Sequence, residues 1–212
     1  MTEERENLPQ LPKGWIWEKL GSLAQEINPG FPSGKWVRGE KQGIPHLRPM
    51  NISSDGSVDL TDLKYVNRNN YDPLIKGDIL FNNTNSPKLL GKTAYIKENT
   101  IWAYSNHMTR IRLFLPLLHP SYIAYFLHHL FLSGFFMMNC VHHVNQASIG
   151  SEFLRQKVFV PLAPYNEQGR IVAKIEELFT RLDAGVESLK KVKAQLKRYR
   201  QAVLKYAFEG KL

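Results

Sequence analysis

One loop of the sequence concentrates side chains that recognise nucleic-acid bases and phosphates. The segment Phe81–Lys92 reads FNNTNSPKLLGK and follows a predicted strand. An asparagine amide can form two hydrogen bonds with an adenine edge, and lysine suits guanine edges or phosphate. The same residue types fill ordinary turns, so the loop alone leaves both interpretations open. Its candidate contact residues are Asn82, Thr84, Asn85, Ser86, Lys88 and Lys92.

Two further segments carry similar polar chemistry. Ser105–Arg112 supplies amide, imidazole and guanidinium groups, and Val141–Gly150 reads VHHVNQASIG. Both extend the candidate surface if the fold brings them to the first loop. Their candidate residues are Asn106, His107, Arg110, Arg112, His142, His143, Asn145, Gln146 and Ser148.

The sequence has no recognisable catalytic motif. Its glycines are scattered turn residues rather than a phosphate-binding loop, and no serine lies in a nucleophile elbow. Adjacent histidines point apart on a helix or strand, so the pairs His128–His129 and His142–His143 make poor chelates even with Cys140 nearby. We therefore predict core or surface histidines, no catalytic residue, no metal and no cofactor.

Composition bounds the class of protein. The 212 residues are 43% hydrophobic, enough for one globular domain and an extended element. A single cysteine, Cys140, excludes an intramolecular disulfide and suits a reducing compartment. The polar opening Met1–Gln10 argues against a signal peptide, and the longest apolar run, Ile123–Val141, is interrupted by histidines and glycine. We predict a cytoplasmic protein without a membrane partner.

The globular part alternates short apolar stretches with frequent turn signals. This pattern predicts strands between Phe31 and Phe114 and helices on either side of that region. The predicted fold class is α+β, a mixed strand and helix domain followed by one long C-terminal helix. The predicted helices are Trp17–Ile27, Ser121–Phe136 and Ser151–Gln156, and the predicted strands include Asp78–Phe81, Thr93–Ile96, Arg110–Leu115 and Lys157–Pro161.

The last forty residues have the periodicity of a coiled coil. From Glu167 to Phe208 there is no proline, and apolar residues recur seven apart in two series. A helix of this length is about 60 Å long, beyond the usual helix of a globular bundle. Asn166 is the predicted N-cap and Gly210 the predicted stop. The predicted dimer-interface residues are Ile171, Ile175, Leu178, Leu182, Leu189, Val192, Leu196, Tyr199, Val203 and Tyr206.

Charge is unevenly distributed along this helix. Of the net charge of +9, most lies in Ser188–Leu212, which has eight lysines and arginines and one acid. Glu167–Glu187 has five acids and three bases, so antiparallel pairing of two copies sets the acidic half beside the basic half. The apolar side chains of Val172, Phe179 and Val186 widen the stripe and indicate a further contact.

Several segments resemble the DNA specificity subunits of type I restriction–modification systems. The N-terminal signature of that family is similar to LPKGWIWEKLGSL, and its segment after the early strands is similar to LIKGDILFNNTNSPKLLGKTAYI. The passage from recognition domain to long helix is similar to HPSYIAYFL, NQASIGSEFLRQKVFVPLAPYNEQGRIVAKIEEL and QAVLKYAFEGKL. These matches cover most of the chain in family order.

The resemblance implies a non-catalytic subunit with a DNA-binding target recognition domain at 1–164 and a spacer and dimerisation helix at 165–212. It implies methyltransferase and restriction subunits as partners that carry out catalysis, with adenine as the methylated base. The family's usual subunit has two recognition domains and two helices, whereas this sequence has one of each. The resemblance therefore implies a homodimer with two-fold symmetry that reads an interrupted palindrome in double-stranded DNA.

Two other functions remain open at this point. One is a coiled-coil scaffold or adaptor whose globular domain binds protein rather than DNA. The other is a stand-alone enzyme such as a nuclease, although the sequence offers no acidic cluster for its metal ions.

Overall fold

The computed structural model describes residues 8–37, 39, 43–67, 70–114 and 116–211. Its internal contacts divide the chain into two compact units, one up to Gly169 and one from Arg170 onward. The first unit contains the strands and shorter helices, and the second contains most of one long helix. Seven residues of the polar opening that argues against a signal peptide lie outside the described residues.

The first unit contains short strands separated by turns, as the frequent glycines and prolines predict. The strands are β1 Ile16–Lys19, β2 Ala24–Pro29, β3 Trp36–Val37, β4 Ile44–Leu47, β5 Lys64–Val66, β6 Ile79–Asn82, β7 Thr84–Asn85, β8 Thr93–Tyr95, β9 Ala103–Tyr104, β10 Met108–Leu113, β11 Val141–His142, β12 Ala147–Ser148 and β13 Phe159–Leu162. The helices are α1 Leu20–Leu23, α2 Pro120–Leu132, α3 Phe135–Met138, α4 Ser151–Lys157 and α5 Tyr165–Phe208.

The strands assemble into four small sheets. One has the order β2-β10-β6-β8 and is antiparallel throughout, and another has the order β3-β5-β4-β9, with a parallel pair between β4 and β9. A two-stranded sheet joins β1 to β13, and a three-stranded sheet has the order β11-β12-β7. Helices and largely antiparallel strands in one unit confirm the α+β class.

The predicted helix at Trp17–Ile27 is wrong in most of its length. The segment forms β1, the single turn α1 and then β2. Its buried residues Leu20, Leu23, Ala24 and Ile27 have the spacing of one helix face, which explains the error. Long-range pairing overrides this local pattern, because β1 pairs with β13 and β2 pairs with β10.

The other predicted elements form close to their expected positions. Pro120 opens α2, and a turn at Ser133–Gly134 separates α2 from α3, so the predicted Ser121–Phe136 helix is two helices. Strands β6, β8 and β10 lie at the three predicted stretches, and α4 and β13 follow in the expected order.

A hydrophobic core joins the two four-stranded sheets. Leu47 and Tyr104 belong to one sheet, and Leu80 and Met108 belong to the other, and all four are buried in the same cluster. Helix α3 packs nearby, with the rings of Phe136 and Phe81 4.9 Å apart in an edge-to-face arrangement. These contacts hold the loops at the ends of β6 and β10 on a rigid base.

The long helix α5 has 44 residues, which corresponds to about 66 Å. Its first turn is capped by the carbonyl of Pro164, which accepts hydrogen bonds from the amides of Glu167 (2.8 Å) and Gln168 (3.0 Å). The predicted N-cap Asn166 therefore lies inside the first turn. At the other end Gly210 has a φ of +66°, and the amides of Gly210 and Lys211 return to the carbonyls of Ala207 and Tyr206. This Schellman motif confirms Gly210 as the stop.

Candidate nucleic-acid interface

The fold brings the three polar segments of the sequence together. Strand β7, inside the Asn82–Lys92 loop, pairs antiparallel with β12, inside the Val141–Gly150 loop. In this register Thr84 lies opposite Ser148 and Asn85 opposite Ala147. Strand β11 then pairs with β12. Loops some sixty residues apart in sequence thus form one small sheet.

Asn83 connects this sheet to the third segment. Its backbone amide donates to the carbonyl of His107 (3.1 Å), and its carbonyl accepts from the amide of Ile149 (2.9 Å). Its side-chain amide donates to the carbonyl of Asn106 (3.1 Å) and to the hydroxyl of Thr109 (2.8 Å). Asn83 is buried and bonds to both other segments, so it fixes their relative positions. We define the surface built from 84–88, 106–107 and 142–148 as the three-loop surface.

The outer part of the three-loop surface is a polar hairpin between β11 and β12. His142, His143, Asn145 and Gln146 are exposed. The amide of His143 donates to the carbonyl of Gln146 (2.7 Å), and its ring nitrogen Nε2 lies 2.9 Å from the hydroxyl of Ser148. The hairpin is therefore held by its own hydrogen bonds, while the side chains of Asn145 and Gln146 are exposed to solvent.

An open cleft of about 610 Å³ adjoins the three-loop surface at Asn85. Its far wall is the segment 48–54, which the sequence did not associate with the site. Arg48 bonds to the carbonyl of Asp62 (2.9 Å), and its guanidinium lies 5.6 Å from the ring centre of the half-exposed Trp36. An arginine that lines a cleft and a tryptophan beside it suit phosphate and base contacts. Arg48 and Trp36 lie 37 and 49 residues before Asn85, and nothing in the sequence signalled this proximity.

Two predicted contact residues of the first loop are buried, although Lys92 also lines the cleft beside Asn85. Asn82 is fully buried, and its side-chain amide donates to the carbonyl of Leu89 (2.9 Å). Lys92 is buried, and its ammonium donates to the carbonyl of Ile52. Burial lowers the pKa of the Lys92 ammonium because desolvation penalises the charged form. Both residues bond within the unit and position the loop, and their role as DNA contacts stays a prediction.

The two predicted arginines of β10 are engaged in ion pairs. Arg110 is buried and lies 2.6 Å from carboxylate oxygens of both Glu26 and Asp72. Arg112 forms a two-pronged contact with Asp78 at 2.7 and 2.9 Å, and these bonds raise the pKa of its guanidinium above the usual value. Their charges are paired with carboxylates of the same unit, and their role as DNA contacts stays a prediction.

The remaining predicted residues lie at the surface. Ser86, Lys88, Asn106 and His107 are exposed, and Thr84, Asn85 and Ser148 are half-buried in the three-loop surface. With the four exposed hairpin residues and the half-buried Arg112, twelve of the fifteen predicted residues are exposed or half-buried. In the described part of the chain, no cluster of three or more His, Cys, Asp or Glu side chains is arranged to hold a metal ion. The sulfur of Cys140 lies 3.6 Å from Nε2 of His142.

Known proteins resemble this chain over nearly its whole length. No protein-family model matches the sequence. The EcoKI specificity subunit of Escherichia coli K12 is 29% identical over 222 residues, covering 100% of the chain and 46% of that subunit. A putative MjaX specificity subunit of Methanocaldococcus jannaschii is 27% identical, covering 90% of the chain and 46% of its own length.

Solved structures give the same result. A chain from a type I restriction–modification complex matches with a TM-score of 0.73 and 26% identity, over 96% of this chain and 48% of its own length. The HsdS subunit of Thermoanaerobacter tengcongensis matches with a TM-score of 0.66 and 25% identity, over 96% and 47%. The chain is similar in sequence and in fold to type I specificity subunits. It spans about half the length of the relatives that it matches.

The chain carries a long apolar seam on α5. Leu182 and Leu189, predicted interface residues near the middle of the seam, are 62% and 70% exposed. The other predicted interface residues fall into an exposed group of Leu178, Val192, Leu196, Tyr199 and Tyr206 and a half-buried group of Ile171, Ile175 and Val203. Large apolar side chains rarely stay in water along a whole helix. Within the described residues, no helix is long and apolar enough to span a membrane.

Proposed function

We propose that this chain is a non-catalytic DNA specificity subunit of a type I restriction–modification complex. The observation that carries the proposal is the match of nearly the whole chain to one half of type I specificity subunits, in sequence and in fold. Residues 1–164 are proposed to be the target recognition domain and residues 165–212 the spacer and dimerisation helix.

The three-loop surface is the proposed site of base readout. Its exposed groups are amides, imidazoles, a hydroxyl and one ammonium from Lys88. These groups donate and accept hydrogen bonds and can read donor and acceptor patterns along base edges in the major groove. The cleft beside Asn85 adds Arg48, and Trp36 lies next to that guanidinium; the two side chains suit a phosphate or a displaced base. The recognition domain is proposed to read one half-site.

The seam of α5 is the proposed dimer interface. Two copies that pair along this seam bury the apolar residues that one copy leaves exposed. We propose antiparallel pairing about a two-fold axis, so that the two recognition domains read inverted half-sites separated by an unread gap. The acids Glu176, Glu177 and Asp183 lie at outer heptad positions, so the contrast between acidic and basic halves contributes little to this orientation.

Catalysis belongs to partner subunits in this proposal. A methyltransferase subunit would modify adenine in each half-site, and a restriction subunit would join the complex for cleavage. Carboxylates that could serve catalysis in the first unit, such as Asp78 and Glu26, are engaged with Arg112 and Arg110.

Methylation sequencing tests the proposed function. The chain is expressed with a type I methyltransferase subunit in a host that lacks other adenine methylation, and the methylome is read at single-base resolution. We expect one interrupted palindromic motif that disappears when the chain is omitted. A methylome without a chain-dependent motif, together with equal binding of all duplexes in an electrophoretic shift assay, would contradict the proposal and favour a scaffold that binds protein.

A further inference from the structure

The cations in the second half of α5 lie in two separate rows. With Leu189 at heptad position a, Lys190, Lys193, Lys197 and Arg200 follow at positions b, e, b and e. Steps of three and four residues keep side chains in one straight line along a helix. We call this line the basic row. Three other cations occupy position c about a third of a turn further round, and we call them the outer row: Lys191, Arg198 and Lys205.

The basic row has few of the acids that usually accompany lysines on a solvated helix. Its first member, Lys190, pairs with Glu187 at 2.6 Å. In the first half of α5, Lys174 and Arg181 pair with Glu177 at 2.9 and 2.5 Å. From Ser188 to Phe208 the sequence has no Asp or Glu. Among the described residues, Lys193, Lys197 and Arg200 have no carboxylate partner, and they repel one another at spacings of three and four. This arrangement suits an external polyanion.

Heptad position e also explains the extra apolar residues of α5. Val172, Phe179 and Val186 occupy this position in the first half, and Val186 and Phe179 are 42% and 47% exposed. In an antiparallel pair whose midpoint lies next to Leu189, Val186 of one copy faces Lys193 of the other. Phe179 then faces Arg200, since both pairs are equidistant from that midpoint. The aliphatic stems of the cations can cover the apolar side chains while their charged ends point outward.

This register places the two basic rows on the same side of the paired helices. Each row rises about 15 Å from Lys190 to Arg200. Both rows begin beside the midpoint and run in opposite directions, so together they form a cationic strip about 30 Å long. A strip of that length matches about nine base pairs of duplex at about 3.4 Å each.

We infer that the basic row binds the phosphates of the unread DNA between the two half-sites. The row would then contribute affinity without sequence preference, because phosphate contacts position a protein but do not read bases. This inference rests on the proposed function, since it needs an assembled complex on a two-part target. It assigns to the spacer helix a direct role in DNA binding as well as in spacing the recognition domains.

A pair of matched triple variants tests the inference in the complex with the methyltransferase subunit. One variant changes Lys193, Lys197 and Arg200 of the basic row to Gln, and the control changes Lys191, Arg198 and Lys205 of the outer row to Gln. Each removes three positive charges per copy from the same half of the helix. Sedimentation and circular dichroism first check that both remain dimeric and helical. DNA affinity is then measured at several salt concentrations, on a duplex with the motif found by methylation sequencing and on a scrambled duplex.

We expect the basic-row variant to lose affinity equally on both duplexes, with the ratio between them unchanged. Its salt slope should flatten by roughly one for each phosphate that the row no longer neutralises, up to about five in the dimer. The outer-row control should keep more of the wild-type affinity and more of the wild-type salt slope. Neutral methylphosphonates in the gap of the duplex should lower its affinity for the wild-type complex but not its affinity for the basic-row variant.

Three results would overturn the inference while leaving the proposed function intact. The first is an equal loss of DNA affinity in the two variants, and the second is no loss of affinity in the basic-row variant. The third is a basic-row variant whose affinity falls as much as that of the wild type when the gap carries methylphosphonates. A wild-type complex that fails to prefer its motif over the scrambled duplex would instead contradict the proposed function. If an acidic protein rather than DNA binds the row, the basic-row variant keeps wild-type DNA affinity, which also rejects the inference.

Discussion

The side-chain amide of Asn83 donates a 2.8 Å hydrogen bond to the hydroxyl of Thr109, beneath the surface that presents the candidate recognition residues. Changing Asn83 to Ala removes this bond and the one to the carbonyl of Asn106, leaving buried polar groups unpaired. We expect a loss of about 1–3 kcal/mol in the free energy of unfolding. Denaturant unfolding measures the change.

Asn145 provides the matched control for Asn83, because it is exposed on the same surface. The Asn145→Ala variant should stay within about 0.5 kcal/mol of the wild-type stability. Equal stability of both variants would show that Asn83 does not hold the three segments together.

Lys88 and Lys92 should respond differently to substitution, although both lie in the polar loop. Lys88 is exposed, so Lys88→Ala should change DNA binding while leaving stability unchanged. If Lys88 meets phosphate, affinity falls on all duplexes and the salt slope flattens by about one; if it meets a base, discrimination relaxes at one position by about 1–3 kcal/mol. Binding of the methyltransferase complex to the motif and to single-base variants separates these outcomes.

Substitution of Lys92 should change the stability of the fold rather than a direct contact with DNA. Lys92→Ala removes the bond to the carbonyl of Ile52 and leaves space in a buried site, so stability should fall. Unchanged unfolding of this variant with a selective loss of DNA affinity would return Lys92 to the contact surface.

The contrast between these two lysines shows how far the sequence alone could go. Periodicity located α5, because a heptad repeat is a local property, and turn residues located β6, β8 and β10. The inward direction of Asn82 and Lys92 depends on packing against Leu89 and Ile52, which a local pattern does not encode. The helix expected at Trp17–Ile27 failed for the same reason, since strands distant in sequence determine its conformation.

The adjacent histidines His128 and His129 should differ in their effect on acid stability. His128 is buried in α2, and burial lowers the pKa of its imidazole because desolvation penalises the charged form. Below about pH 6.5 the unfolded chain binds a proton at this position that the folded chain does not. Stability should therefore fall as the pH drops through this range.

Urea unfolding at pH 7.5 and pH 5.5 measures this contribution. The variant His128→Leu should lose less stability between the two values than the wild type. The exposed neighbour supplies the control, and His129→Gln should keep the wild-type pH dependence. A wild-type pH dependence in His128→Leu would show that another group is responsible.

The seam of α5 should determine the oligomeric state. Changing both Leu182 and Leu189 to Asp places charges in the proposed interface, and we expect monomers in sedimentation velocity. Ala184→Asp with Ala194→Asp adds the same charges on faces away from the seam and should leave the dimer intact. A dimer that survives the leucine changes would move the interface elsewhere.

The length of α5 should set the gap between the half-sites. The chain enters α5 at Tyr165, so antiparallel pairing places the two starting points at opposite ends of the paired helices. Inserting seven residues between Gly185 and Val192 keeps the apolar seam in phase and lengthens each helix by about 10 Å. The preferred gap should then increase by about three base pairs, since each base pair rises about 3.4 Å.

A duplex library with fixed half-sites and variable gaps measures this change through the methylation pattern of the assembled complex. The half-site sequences should stay the same, because the three-loop surface is untouched. An insertion of three or four residues is the control, since it rotates the seam out of phase and should weaken the dimer instead of shifting the gap. If heptad variants remain folded, dimeric and active but keep the original gap, α5 does not set the spacing, and the antiparallel arrangement must be abandoned.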